Sequence, residues 1–93
     1  MSERNVVWLP SVRSKLLHYR NERFTPEDTL GFVSQIVLET DRLLKNPVLG
    51  RTYTEESGTY QGVSRVLIRN FRIYYEQYHD DIVIVAILFP GER

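Results

Sequence analysis

Residues 60–89, YQGVSRVLIRNFRIYYEQYHDDIVIVAILF, constrain the fold more than any other part of the chain. Their β-branched and aromatic residues fall into three runs separated by short polar stretches, which predicts three strands joined by two tight turns. Asn70 in the first turn tolerates the positive φ that a two-residue hairpin requires. Arg65, Arg69 and Arg72 stand among the apolar residues of the first two runs. This group of arginines on a hairpin is the main functional clue in the sequence.

The other two runs predict how the sheet is buried. In residues 71–78 one face is apolar and the other mixed, because side chains alternate along a strand. The first face carries Phe71, Ile73 and Tyr75, and the second carries Arg72, Tyr74, Glu76 and Tyr78. Residues 82–89 are apolar on both faces, which is typical of a strand in the middle of a sheet.

A short strand and a helix are predicted at the start of the chain. Residues 6–9 are apolar and β-forming, and Pro10 ends them. The Ser11 hydroxyl is expected to cap a first helix that ends near Asn21. Its inner positions are Val12, Leu16 and Tyr19, and its outer cations, interpreted as a solvated face, are Arg13, Lys15 and Arg20.

The second helix has the clearest signals. Thr25, Pro26 and Asp28 provide a capping hydroxyl, a proline where no amide proton is needed, and a carboxylate in the first turn. The helix is expected to end at Lys45 or Asn46, because Pro47 cannot continue it. Residues predicted on its apolar face are Leu30, Val33, Ile36, Val37, Leu43 and Leu44.

Residues 48–62 lose periodicity and predict a loop or a weak edge strand. The whole chain, residues 1–93, is therefore expected to form one α+β domain of pattern βααβββ. In it a helical hairpin packs on a small, twisted, mainly antiparallel sheet.

Composition removes several classes of function. Without cysteine, and with only two histidines far apart, the chain offers no thiol chemistry and no support for a metal site. No glycine-rich phosphate loop or nucleophile elbow is present, so no cofactor is expected. The 12 basic and 12 acidic residues balance, which gives no strong attraction to nucleic acid. No segment has the pattern of a signal peptide or membrane helix, so a cytoplasmic location and no membrane partner are expected.

Four motifs in this order resemble the RelE/ParE superfamily of toxins from bacterial type II toxin-antitoxin modules. They are VVWLPSV before the first helix, LLKNPVLGR at the end of the second, GVSRVLIRNFRIYYE across the hairpin, and DIVIVAIL in the last strand. The resemblance implies a growth-inhibiting toxin that a cognate antitoxin binds in a hetero-oligomer. The antitoxin is expected to lay an amphipathic helix or an extended segment over the helical hairpin or the sheet.

The resemblance leaves two targets open, because RelE-like members cut messenger RNA on the ribosome and ParE-like members poison DNA gyrase. Arg72 and Arg93 match positions of phosphate-holding arginines in RelE-like nucleases. VSRVLIR contains none of the lysines that such enzymes carry on the preceding strand. The C-terminal catalytic tyrosine of those enzymes also has no counterpart. His79 lies in a turn, so no general base is visible. The enzyme class is therefore open, and catalysis is not favoured.

The ParE-like interpretation is preferred because it requires binding only. GVSRVLIRNFRIYY resembles the ParE pattern, although LFPGER replaces the histidine-containing end of that family. The candidate target-contact residues are Arg65, Arg69, Arg72 and Tyr74. Two alternatives stay open: the arginines pair with Glu55, Glu56 or Glu76 on a solvated face while the tyrosines pack, or the protein is a degenerate member that only binds other proteins.

Overall fold

A computed structural model describes residues 4–45 and 53–92. Within them a five-stranded mixed sheet is covered on one face by two helices, which confirms the α+β prediction. The elements are β1 (Asn5–Trp8), α1 (Pro10–Leu17), α2 (Pro26–Lys45), β2 (Tyr53–Thr54), β3 (Ser64–Ile68), β4 (Phe71–Tyr78) and β5 (Asp81–Leu88). The predictions made for Asn46, Pro47, residues 48–52 and Arg93 lie outside the described part of the chain.

The strand order is β1-β5-β4-β3-β2, so β5 is an interior strand with a neighbour on each side, as its apolar sequence predicts. β1 pairs with β5 in parallel, and the other neighbours are antiparallel. The short β2 confirms the predicted weak edge strand. No helix in the described residues is both long enough and apolar enough to cross a membrane.

The turn between β3 and β4 contains only Arg69 and Asn70, which have φ values of 49° and 71°. Two consecutive positive φ values are the signature of the type I′ turn, whose twist matches that of the flanking strands. The prediction for Asn70 is confirmed. The turn fixes the register of the hairpin, with Ile68 opposite Phe71 and Leu67 opposite Arg72.

A β-bulge in β5 explains why that strand is apolar on both faces. Tyr74 pairs with Ala86 and Tyr75 with Ile84, so Val85 is the extra residue. The inserted residue shifts the alternation of side chains by one position. The next side chain to enter the core after Ile84 is therefore Ile87 rather than Ala86. The opposite face of β5 is half-buried, not fully covered.

Helix α1 differs from its prediction at both ends. It begins at Pro10 with Leu9 as the N-cap residue and without a side-chain cap, so the predicted Ser11 cap is wrong. Proline already suits the first helical position, and Ser11 lies inside the helix. The helix ends at Leu17 rather than near Asn21, because the amide of Tyr19 bonds to the carbonyl of Leu16 at 3.0 Å in a tighter last turn.

Helix α2 begins as predicted, with a reciprocal cap. The amide of Asp28 donates to Thr25 Oγ1 at 3.1 Å, and the amide of Thr25 donates to Asp28 Oδ2 at 3.2 Å. Its apolar side meets the sheet through Val33, Ile36 and Leu44, which are buried. The helix is therefore fixed at its start by polar contacts and along its length by the core.

Replacing Thr25 by alanine is expected to lower the free energy of unfolding by about 1 kcal/mol, because the first-turn amide of Asp28 loses its acceptor. Urea unfolding followed by circular dichroism measures the change. Ser34→Ala is the control, since Ser34 is an exposed position inside the same helix. Equal losses in the two variants would contradict the capping role.

Candidate functional site

Three of the four predicted target-contact residues share the sheet face that points away from the helices. Arg65 lies opposite Tyr74, and Arg72 is opposite Leu67 in the β3-β4 ladder. Directly opposed residues project from the same side of a sheet, and here that side is the one without core residues. We call it the outer face. Leu67 is 60% exposed on this face, opposite Arg72 and two residues along β3 from Arg65.

Arg69 does not join this group. Its guanidinium donates to the Glu39 carboxylate of α2, with Nη2 at 2.8 Å and Nε at 3.1 Å, and lies 5.8 Å from the ring of Phe32. These contacts place Arg69 on the helix side of the turn. Its hydrogen bond holds the pKa of Glu39 below the ordinary value of a glutamate. No sequence pattern could predict Glu39 as its partner, since the two residues are 30 positions apart along the chain.

Tyr74 is on the outer face but only 2% exposed. The ring of Tyr60 stacks on it at 4.3 Å, and its hydroxyl donates to Glu55 Oε2 at 3.0 Å. Burial, and then the hydrogen bond to Glu55, raise the pKa of Tyr74. Direct contact with a target would require Tyr60 to move away, so target contact by Tyr74 stays a prediction.

Arg65 is held by the same loop. Its Nη1 lies 3.5 Å from Glu55 Oε2, and its Cζ lies 4.3 Å from the ring centre of Tyr53. This is one of the ion pairs that the solvated-face alternative predicts. Because the guanidinium is packed between a carboxylate and a ring, its position on the outer face is fixed.

Arg72 opens onto a cleft of ≈ 420 Å³ at the end of the outer face. Its Nη2 donates to the backbone carbonyl of Glu92, which follows β5. Lys15 of α1 reaches the same cleft and binds the Glu92 carboxylate at 2.8 Å. The interpretation of Lys15 as part of a solvated face is therefore wrong, because its Nζ binds Glu92 and lies 5.1 Å from the centre of the Phe89 ring. No helical periodicity could have shown this contact.

The titratable groups of this cleft suit binding better than proton transfer. Hydrogen bonds from Lys15 and from the amide of Phe89 lower the pKa of Glu92, which makes it a weak base. The raised pKa of Tyr74 makes it a weak acid. His79 follows the far end of β4, and a rise of about 3.3 Å per residue puts it about 20 Å from Arg72. Among the described residues, no cluster of histidine and acidic side chains could hold a metal ion.

A second surface lies on the helix layer. An apolar groove of ≈ 440 Å³ runs between α1 and α2, with Arg13 at its rim. Leu30, which is predicted on the apolar face of α2, lines this groove but is 64% exposed. Helix α1 ends at Leu17 and is too short to cover it. The apolar side chains that line the groove are Trp8, Leu16, Leu17, Leu30, Val33, Val37 and Leu38.

Comparison with known proteins adds one finding to this geometry. Residues 6–89 match the sequence model of a family described as the ParE toxin of type II toxin-antitoxin system, parDE. The matched range begins within β1 and ends just after β5, so it includes both helices and all of the sheet except Asn5. No curated protein and no solved structure matches the chain significantly.

Proposed function

Because the chain belongs to the ParE toxin family of type II toxin-antitoxin systems, we propose that it arrests growth by binding DNA gyrase. A cognate antitoxin neutralises it. The observation that carries the gyrase assignment is the set of groups in the cleft beside Arg72. Among the described residues there, the pKa of Glu92 is lowered and the pKa of Tyr74 is raised, so the two do not form an acid and base pair suited to proton transfer. A poison that acts by binding needs such a contact surface and no proton-transfer pair.

Gyrase engages the outer face. Arg65 and Arg72 flank the exposed Leu67, so an apolar contact is framed by two guanidinium groups. Interfaces commonly have this composition, because arginine combines charge, planarity and several donors in one side chain. The stacking of Tyr60 on Tyr74 packs the loop against the same face.

The antitoxin occupies the apolar groove on the opposite layer. Soluble proteins rarely leave a contiguous apolar patch open unless it meets a partner. Leu17, Leu30 and Leu38 are each more than half exposed along the groove, at spacings that suit the apolar stripe of an amphipathic helix. The two partners would then bind opposite sides of one small domain.

The gyrase assignment predicts that excess purified protein inhibits DNA supercoiling and stabilises cleaved DNA. Arg72→Ala should weaken this effect about tenfold, because a charge-assisted hydrogen bond in an interface contributes about 1.5 to 3 kcal/mol. Arg23→Ala is the matched control, since it removes the same charge from an exposed position between the helices. The measurement is the protein concentration that gives half-maximal cleavage.

Three other results would contradict the proposal. Unchanged supercoiling at excess protein would exclude gyrase as the target. Codon-positioned cuts in translated messenger RNA would indicate the ribonuclease alternative, with Arg72 as a phosphate contact. Normal growth after induction in bacteria would indicate a member that only binds other proteins.

A further inference from the structure

Glu92 occupies a built carboxylate site on its own protein. Both of its carboxylate oxygens lie 2.8 Å from Lys15 Nζ, and one also accepts the amide hydrogen of Phe89 at 2.8 Å. Lys15 is oriented by a further bond to the carbonyl of Ile87 at 2.7 Å. The donors that receive the carboxylate thus come from a helix and from the end of β5, and are fixed independently of Glu92.

Arg72 lies next to this site, and its contact within the described residues uses only part of its hydrogen-bonding capacity. A guanidinium has five N–H groups, and the recorded contact of Arg72 uses one of them on the carbonyl of Glu92. The ion pairs within residues 4–45 and 53–92 are Lys15 with Glu92, Arg65 with Glu55, and Arg69 with Glu39. Arg72 is in none of them, although it lines the same cleft.

We propose that Glu92 is a displaceable internal ligand, and that the cleft receives acidic side chains of a protein partner in its place. Lys15 and Glu92 are 36% and 37% exposed as side chains, and ion pairs that water reaches so easily contribute little to stability. An incoming carboxylate can take over Lys15 and the Phe89 amide. When Glu92 leaves, the freed guanidinium of Arg72 can bind a second carboxylate through two parallel hydrogen bonds.

The charge of the cleft favours an acidic protein segment over a nucleic acid. Lys15 and Arg72 are balanced by Glu55 and Glu92 in the lining, and the whole chain has a formal net charge of +0. Binding to a phosphate backbone depends on an excess of positive charge, which this face does not provide. A carboxylate that exchanges with Glu92 needs no such excess. The inference rests on the proposed function only in expecting a protein partner at this face.

The test measures binding of a short oligoglutamate peptide to the isotope-labelled full chain by nuclear magnetic resonance, without gyrase. Glu92→Gln should bind the peptide about tenfold more tightly than the wild-type protein, because the internal competitor is removed. Adding Lys15→Met to that variant should remove the gain. In the unaltered protein, saturating peptide should shift the amide resonance of Phe89 and the Nε–Hε resonance of Arg72, which keeps the test valid if a variant fails to fold.

Glu39→Gln is the matched control, because it changes the net charge equally at an ion pair on the helix side. An equal gain in Glu39→Gln would show that overall charge explains the effect and would overturn the proposal. The absence of any shift at Phe89 and Arg72 would also overturn it. Tighter binding of an oligothymidylate than of oligoglutamate to Glu92→Gln would assign the cleft to nucleic acid instead. If the unaltered protein binds the peptide as expected but does not poison gyrase, that result would contradict the proposed function and leave this inference standing.

Discussion

Phe71→Ala is expected to lower the free energy of unfolding by about 3 to 5 kcal/mol, the usual cost of removing a buried phenylalanine side chain. Phe71 is 0% exposed. Its ring lies 5.1 Å from Tyr19, 5.8 Å from Phe32 and 5.6 Å from Phe89, so it joins helix α2 to the segments that directly follow α1 and β5. Edge-on aromatic contacts add to the burial itself. The total free energy of unfolding of a small protein is about 5 to 15 kcal/mol, so this single substitution removes a large part of it.

Urea unfolding gives the measurement, with the slope of the transition as a check that cooperativity is kept. Tyr78→Ala is the control, because Tyr78 is in the same strand but exposed on the outer face. It should change the free energy of unfolding by less than about 0.5 kcal/mol. A loss below about 1 kcal/mol for Phe71→Ala would mean that the four rings do not form one packed cluster in solution.

Leu30→Glu is expected to weaken antitoxin binding about a hundredfold, the equivalent of about 2.7 kcal/mol. It buries a charge in the centre of the apolar groove without a partner, and central interface positions carry most of the binding energy. Stability should hardly change, because Leu30 is exposed in the free protein and glutamate is a good helix former. The affinity is measured by calorimetry with purified antitoxin.

Leu67→Glu provides the matched control for this prediction. Leu67 and Leu30 have similar exposure, 60% and 64%, but lie on opposite layers of the domain. Leu67→Glu should therefore keep antitoxin affinity and weaken gyrase poisoning, while Leu30→Glu should do the reverse and escape neutralisation in cells. If both substitutions weaken antitoxin binding equally, the antitoxin wraps both layers and the assignment of separate faces is wrong.

The sequence predicted the parts of this fold that depend on local chemistry. Thr25 with Asp28 and the Asn70 turn are satisfied by atoms within a few residues, so their sequence signals are sufficient. The burial of β5 followed from its apolar residues. The bulge at Val85 could not be predicted, because a strand that is apolar on both faces reads the same in either register.

The site was predicted only in part, for a related reason. The alternation along β4 correctly placed Arg72 and Tyr74 on the face away from the core, since alternation is a local property. The ion pairs of Lys15 with Glu92 and of Arg69 with Glu39 depend on tertiary packing, and no local sequence pattern predicts them. The exposure of Leu30 was not predicted, because helical periodicity identifies an apolar face but does not show whether a neighbouring helix is long enough to cover it.

The parallel pairing of β1 with β5 means that the sheet is completed only when its last strand in the sequence is available. Asn5 donates through its side chain to Asp81, across a separation of 76 residues. β5 is flanked by β1 and β4, and Ile82, Ile84 and Ile87 of that strand complete the core. A nascent chain therefore has no finished sheet until these residues have left the ribosome, and contacts so distant in sequence form slowly.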